Sequence, residues 1–333
     1  MRSSALTLGG RNTVSNPRYI FLDQNHWIYL AKAFWGRPHK PAHKSVAEDL
    51  LSRVDRDEVR LPLGVIHLIE HLRAEEPGRR ERLAEVFERF SHRWFIAAWN
   101  DILPIEISRA VSQTFGSSEM PPPPETLGRG FLFGVGPRGR SEFPAHWSDL
   151  DLKRLSWFAA QPEALFDLLT FPNEPGRIRQ KQHISELGRP NAQAAESVRA
   201  VRKPYDKVVH RRAQLAGYTY DLQHYITAAL TAIGKTFEDF LGLGLDGLME
   251  FWFRVPSLDV DCELTLYRDR QWSRAIKSND VSDIGHLVTA IPYCDAVVVE
   301  RFWARVTEET GLREKYRVEV FSDLTEVARV LSC

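Results

Sequence analysis

Four carboxylates sit where an α/β chain can place chemistry. Asp23 directly follows the apolar run Tyr19–Leu22 (YIFL) and precedes QNHWIYLAKAF, whose Trp27, Leu30, Ala31 and Phe34 share one helical face. It stands at a strand-to-helix junction, where an aspartate can also serve simply as the helix cap. Glu70 lies in GVIHLIEHLR, close to the apolar stripe of Val65, Leu68, Ile69 and Leu72. Asp283 begins a helix in which Ile284, Leu287, Val288 and Ile291 recur on one face; Pro292 ends it, having no N–H to donate. Ala296–Val299 then reads as a short, β-branched, buried strand with Glu300 directly after it. An acid opening a helix and another at the carboxyl end of a buried strand is how an open α/β sheet builds a site.

A second pattern overlaps the first. His67, Glu70 and His71 spell H-x-x-E-H, two imidazoles on one helical face with a glutamate base, the arrangement of the inverted zinc peptidases. Such a site needs a third protein ligand, which nothing downstream singles out, and it leaves Asp23, Asp283 and Glu300 without a role. On the competing expectation, His67 and His71 are partly buried or rim residues flanking Glu70. Glu106 and Asp280 read as surface or capping residues. Asp295 precedes its strand and is expected to cap the turn rather than supply the fourth acid. Gly128, Gly130, Gly134 and Gly136 neither follow a strand nor open a helix, so they do not spell a phosphate-binding loop.

The elements that must hold these acids fall into two blocks separated by a third. In the first block, residues 18–115, a helix over Lys44–Val54, a strand over Val59–Leu63 and a helix over Arg79–Ser91 follow the opening strand and helix. The closing block, 256–333, contains a helix over Arg301–Thr310, a strand over Arg317–Phe321 and a final capped helix. Leu258–Leu266 (LDVDCELTL) alternates and reads as a strand or an extended link. Between the blocks, in 116–255, a Pro- and Gly-rich loop leads into a stretch that is almost wholly helical from Trp147 to Phe253. It carries a basic patch from Arg177 to Arg212, in which Arg199, Arg202, Lys203, Arg211 and Arg212 are the candidates for phosphate contact. A solvated helical face is the plainer reading of the same charges. Strands alternating with helices on both sides of a helical block argue for one α/β domain interrupted by an insertion.

Composition narrows the partners. The 44 basic and 44 acidic residues cancel, so no global field points to nucleic acid or a membrane, and 43% hydrophobic residues suffice for a sizeable core. Three cysteines at scattered spacings make neither a disulfide framework nor a zinc ribbon, which fits a reducing compartment. No stretch approaches the roughly 18 apolar residues of a membrane span, and no signal peptide is recognisable. A soluble, cytoplasmic protein with no membrane partner is expected.

The order FLDQNHW, VIHLIEHL and SDIGHLVTAIPYCDAVVVER resembles the PIN-domain nucleases over roughly residues 18–110 and 270–333. The resemblance implies a three-layer α/β/α domain with a mostly parallel sheet, and a pocket where Asp23, Glu70, Asp283 and Glu300 meet. It implies a metal-dependent nuclease acting on RNA rather than DNA, with Mg²⁺ or Mn²⁺ as the hard cation that takes oxygen ligands. Asp23 and Asp283 would then bind metal directly, Glu70 would bind it or orient the attacking water, and Glu300 would be an outer ligand. Asn25, beside the site, would touch phosphate. The chain departs from the family in having Val299 and Glu300 where a threonine and an aspartate are common. That departure suits the alternative of a catalytically inactive RNA-binding module of the same fold. The sequence also leaves room for a regulatory protein partner.

Overall fold

A computed structural model describes residues 16–71, 74–135, 164–170 and 174–331, together with Arg154, Trp157 and Gln161. The site-bearing sheet has four short parallel strands, β1 (Arg18–Leu22), β2 (Val59–Arg60), β5 (Ala296–Val298) and β6 (Glu319–Phe321), in the order β2-β1-β5-β6. A separate antiparallel pair joins β3 (Trp94–Ile96) to β4 (Leu127–Arg129).

The alternation of side chains along β1 and β5 creates two cores. Ile20, Leu22, Ala296 and Val298 face one side, where α1 (Gln24–Phe34), α2 (Ala42–Asp55) and α4 (Pro77–Ser91) cover them. Phe21, Val297 and Val299 face the other side. Both faces of a parallel sheet must be buried, which is why β5 is apolar at every position. Between α2 and α4 the chain passes through the short α3 (Val65–His71), and after β3 it enters α5 (Trp99–Phe115). The strand expected over Val59–Leu63 is shorter than its sequence suggests: β2 ends at Arg60, and Leu63 bridges separately to Phe95.

The intervening segment is not all insertion. Within the Pro- and Gly-rich stretch, β4 and α6 (Phe131–Val135) fold back on the sheet layer, and α7 (Ala164–Thr170) buries Leu165 and Leu169 in the core of the first face. A long helix, α8 (Glu174–Arg202), follows. Next come α9 (Lys207–Asp221), α10 (Gln223–Ala232), α11 (Phe237–Leu241) and α12 (Gly244–Trp252). These helices build a third core with α5, around Ile107, Leu230, Phe240 and Trp252. No helix among the described residues is long and apolar enough to cross a membrane.

Three expectations are corrected in the closing block. The alternating Leu258–Leu266 is neither strand nor link; it lies inside α13 (Pro256–Asp269). Val260 and Leu264 pack into the core of the second sheet face, while Leu258, Cys262 and Leu266 pack into the helical core. A helix buried on two opposite sides puts an apolar residue at every second position, so it imitates a strand. The next helix, α14 (Ser278–Tyr293), starts earlier than expected, so Asp283 lies in its second turn and does not open it. Asp280 takes the opening role, accepting the Lys277 backbone N–H at 2.8 Å. Pro292 does not stop α14, because a proline in the last turn forfeits only one backbone bond before the helix closes at Tyr293. The chain then runs through α15 (Arg301–Glu309), α16 (Leu312–Tyr316), a 3₁₀ turn at Leu324–Val327 and α17 (Ala328–Leu331).

Glu106 is a further correction. It is buried in α5 and accepts hydrogen bonds from the Ser257 backbone N–H (3.2 Å), from the Ser257 hydroxyl (2.5 Å) and from the Tyr293 hydroxyl. Burial pushes its pKa up, and the donors of α13 and α14 hold it back. This carboxyl ties the three helices together; it is not a surface residue.

Because α13 is packed on both sides, truncation there should be costly. Leu264→Ala is expected to destabilise the protein by about 2–5 kcal/mol in urea titration. A loss below about 1 kcal/mol would mean that α13 is not the shared wall described.

Candidate functional site

Asp23 and Glu300 leave neighbouring central strands at their carboxyl ends. The parallel register pairs Leu22 with Val298, and the Asp23 backbone N–H donates to the Val298 carbonyl at 2.9 Å. From β1 the next strand, β2, lies on one side; from β5 the next, β6, lies on the other. The two acids therefore stand at the point where the strand order reverses, the place where open parallel sheets form ligand crevices.

Asp283 approaches from the second turn of α14 and Glu70 from α3. Their common field is registered at one group. The Asp283 carboxyl is pushed up to about 7, mainly by burial; the charges of Glu300, Glu70 and Asp23 add to the rise, and a hydrogen bond from Trp303 opposes it. Carboxylates carried by three other elements thus lie near enough to Asp283 to disfavour its charge.

Three of the acids are anchored through a single oxygen. The His26 backbone N–H (2.9 Å) and ring Nδ1 (2.6 Å) both meet Oδ1 of Asp23. The Trp303 indole N–H donates to Oδ2 of Asp283 at 2.9 Å, and the Asn25 amide donates to Oε1 of Glu300 at 2.7 Å. Each carboxylate is oriented by a neighbour while its second oxygen keeps its lone pairs, the kind of outer support that metal ligands require. Asp23 also caps α1 through the His26 N–H, so its capping and site roles coexist. Among the described residues no three His, Cys, Asp or Glu side chains form a group that could hold an ion as they stand. The donor chemistry of the four acids, all carboxylate oxygen, matches a hard divalent cation.

Arg274 is a basic residue of this neighbourhood. It clamps Asp280 with two bonds of 2.8 and 2.6 Å and stacks over Phe302 at 4.2 Å. Its pKa is raised mainly by that clamp, with further help from the charges of Asp283 and Glu300. Asp280 is therefore buried and consumed by Arg274, and is not a surface residue.

The histidines are not rim residues. His67 and His71 are fully buried, and desolvation pushes both imidazoles down to about 4. The Gly64 N–H donates to Nδ1 of His67 at 2.8 Å, and its Nε2 lies 2.9 Å from the Leu22 carbonyl. Both ring nitrogens are spent on backbone, so His67 has no lone pair to offer zinc. Nε2 of His71 lies 3.3 Å from the Leu169 carbonyl, and the ring of His286 packs on His67 with centroids 4.4 Å apart. The pair holds α3 against β1, α7 and α14.

The insertion candidates are largely engaged within the fold. Arg199 donates to the Arg274 carbonyl at 2.6 Å and pairs with Glu196 at 2.5 Å, so α8 supports the loop that carries Arg274. Arg202 bonds Gln214, Arg211 pairs with Glu263, and the Lys203 amine lies 6.0 Å from the Trp272 ring centre. Arg212 lies in α9. The side chains of Arg177, Arg179, Lys181 and Arg189 lie outside the described residues. Asp295 sits at the amino end of β5, where its carboxylate accepts the Tyr19 N–H at 2.7 Å, so it is at the opposite edge of the sheet from Glu300.

Trp303 and Arg274 were not singled out by sequence. Trp303 follows Glu300 by three residues, one turn into the helix, a spacing that could have linked them. Arg274 lies nine residues from Asp283 across a turn and carries no local signal.

The raised pKa of Asp283 has a defined consequence for stability. Its ordinary value is 3.8 and its folded value about 7, so the native state holds the proton over that interval and stability falls as pH rises through it. The loss is on the order of 4 kcal/mol at most. Asp283→Asn keeps an acceptor for Trp303 and removes the charge. Thermal melts should show the wild type losing stability relative to this variant from about pH 4 to pH 7, with no further divergence above it. Parallel curves would mean that Asp283 titrates as an ordinary aspartate.

No protein-family model, curated protein or solved structure matches the chain.

Proposed function

We propose that this protein is a PIN-like nuclease that hydrolyses phosphodiester bonds, acting on RNA in the cytoplasm, with Mg²⁺ or Mn²⁺ held by the acidic pocket. The observation that carries this reading is the electrostatic influence of Asp23, Glu70 and Glu300 on a half-buried Asp283 beside the strand-order reversal. Structural carboxylates are normally neutralised by arginine or lysine, whereas here one desolvated acid feels three others. Cys262 and Cys294, the cysteines among the described residues, are free and buried, which accords with a reducing compartment.

In this reading Asp23 and Asp283 hold the cation, Glu70 binds it or orients the attacking water, and Glu300 completes the set from the outside. When bound, the cation supplies a water of lowered pKa and charge stabilisation for the leaving oxygen. His26, Trp303 and Asn25 keep the carboxylates aimed. Arg274 is positioned by Asp280 to offset part of the acidic field and to attract the phosphodiester. Asp283 must lose its proton before it can ligate, so cation affinity and cleavage rise with pH through about 7.

The test is cleavage of a mixed single-stranded RNA pool with Mn²⁺, with EDTA, and with two variants. Asp283→Asn should lose activity by more than about 100-fold. Trp303→Phe, which keeps the ring but not the N–H, should lose about 10- to 100-fold. Metal-independent cutting, or full activity in Asp283→Asn, would place the chemistry elsewhere. A folded protein that binds RNA without cutting it would be the inactive module.

A further inference from the structure

A groove distinct from the acidic pocket lies between α1 and the start of α4. Its volume is about 660 Å³. Its walls carry Lys32, Arg37, His39, Arg79 and Arg82, with Trp35 among them. Trp35 is 42% exposed, a large share for an indole. It is nevertheless held in place, because its N–H donates to the Arg82 carbonyl at 3.3 Å. Of the cations, Arg82 pairs with Glu76 at 3.3 Å. Lys32, Arg37 and Arg79 form no ion pair with any described residue. His39 stacks on Tyr29 with centroids 4.5 Å apart and planes 9° from parallel.

The groove is aligned with the site. At helical spacing, Asn25, Ile28, Lys32 and Trp35 fall on one face of α1. Asn25 holds Glu300 at one end of that face, and Trp35 closes the helix at the other. About 18 Å of helix axis separates Asp23 from Trp35. A molecule leaving the pocket past Asn25 therefore meets a line of cations and a fixed aromatic surface.

Unpaired cations in a concave wall call for an anion, and an exposed, immobilised indole calls for a flat ring to stack on it. A phosphodiester strand with unpaired bases offers both at once. A duplex buries its bases and gives Trp35 nothing to stack on. We propose that this groove binds single-stranded nucleic acid, with phosphates on Lys32, Arg37 and Arg79 and a base stacked on Trp35. The binding stands on the groove itself; its use as a path for substrate rests on the nuclease reading.

The experiment is fluorescence anisotropy of a labelled 15-nucleotide oligouridylate with the full chain in EDTA, over a range of salt concentrations. Trp35→Ala should weaken binding by roughly 5- to 100-fold, whereas Trp35→Phe, which retains a ring, should keep most of it. The double variant Lys32→Ala/Arg79→Ala should lower the slope of log affinity against log salt by about 1.4, near 0.7 for each cation removed. These side chains are largely at the surface, and melting curves matching the wild type would confirm that the variants fold. Unchanged affinity and slope in both variants would overturn the proposal. So would an equal loss of duplex binding in Trp35→Ala, or no binding by the wild type. Variant-insensitive binding by a protein that cuts RNA would remove the groove and leave the nuclease. Variant-sensitive binding by a protein that never cuts would do the reverse.

Discussion

The hydrogen-bonded pairing of β1 with β5 governs where Asp23 and Glu300 stand. These strands are separated by more than 270 residues of chain, yet Leu22 lies opposite Val298 in parallel register. Shifting that register by one residue would turn Phe21 and Val297 toward the wrong core and carry Glu300 away from Asp23. The apolar demand of two cores, one on each sheet face, therefore fixes where two catalytic candidates stand. Side chains that bury surface and side chains that could do chemistry are successive residues of the same strands.

Placing acids there works against stability. Asp283 is partly desolvated beside like charges, and its carboxyl responds by holding a proton well above the ordinary aspartate range. The surroundings compensate through orientation rather than neutralisation. Trp303, Asn25 and His26 each secure one oxygen, and Arg274 is kept close by Asp280. Sites that must act commonly sacrifice some folding free energy in this way.

What could be read from sequence follows the range of the interactions involved. The strand before Asp23 and the one before Glu300 were legible because short β-branched runs ending in an acid carry a local signal. The helix after Asp23 was legible to the residue, since one buried face sets its period and its cap is adjacent. Failures arose where burial came from two directions. Leu258–Leu266 alternates because two cores share its helix, and a pattern rule assumes one. His67 and His71 looked like ligands because spacing is visible, whereas their partners, Leu22 and Leu169, lie far off in the chain. The acidic quartet was singled out by its order in the chain; the groove at Trp35 was not, because its cations come from α1, the turn after it and α4, about 45 residues apart, and look like ordinary surface charge in each.

The two-sided burial of α13 also bears on how the molecule comes apart. A helical insertion with its own core would be free to melt as an independent unit if it touched the sheet layer only through polar links. Here the wall that closes its core is the same helix that closes one face of the sheet, and Glu106 fastens that wall to α5 and α14. Loosening the insertion would expose apolar surface on both cores at once. The two parts are therefore thermodynamically coupled, and the chain should behave as one cooperative folding unit rather than as a stable sheet domain with a detachable appendage.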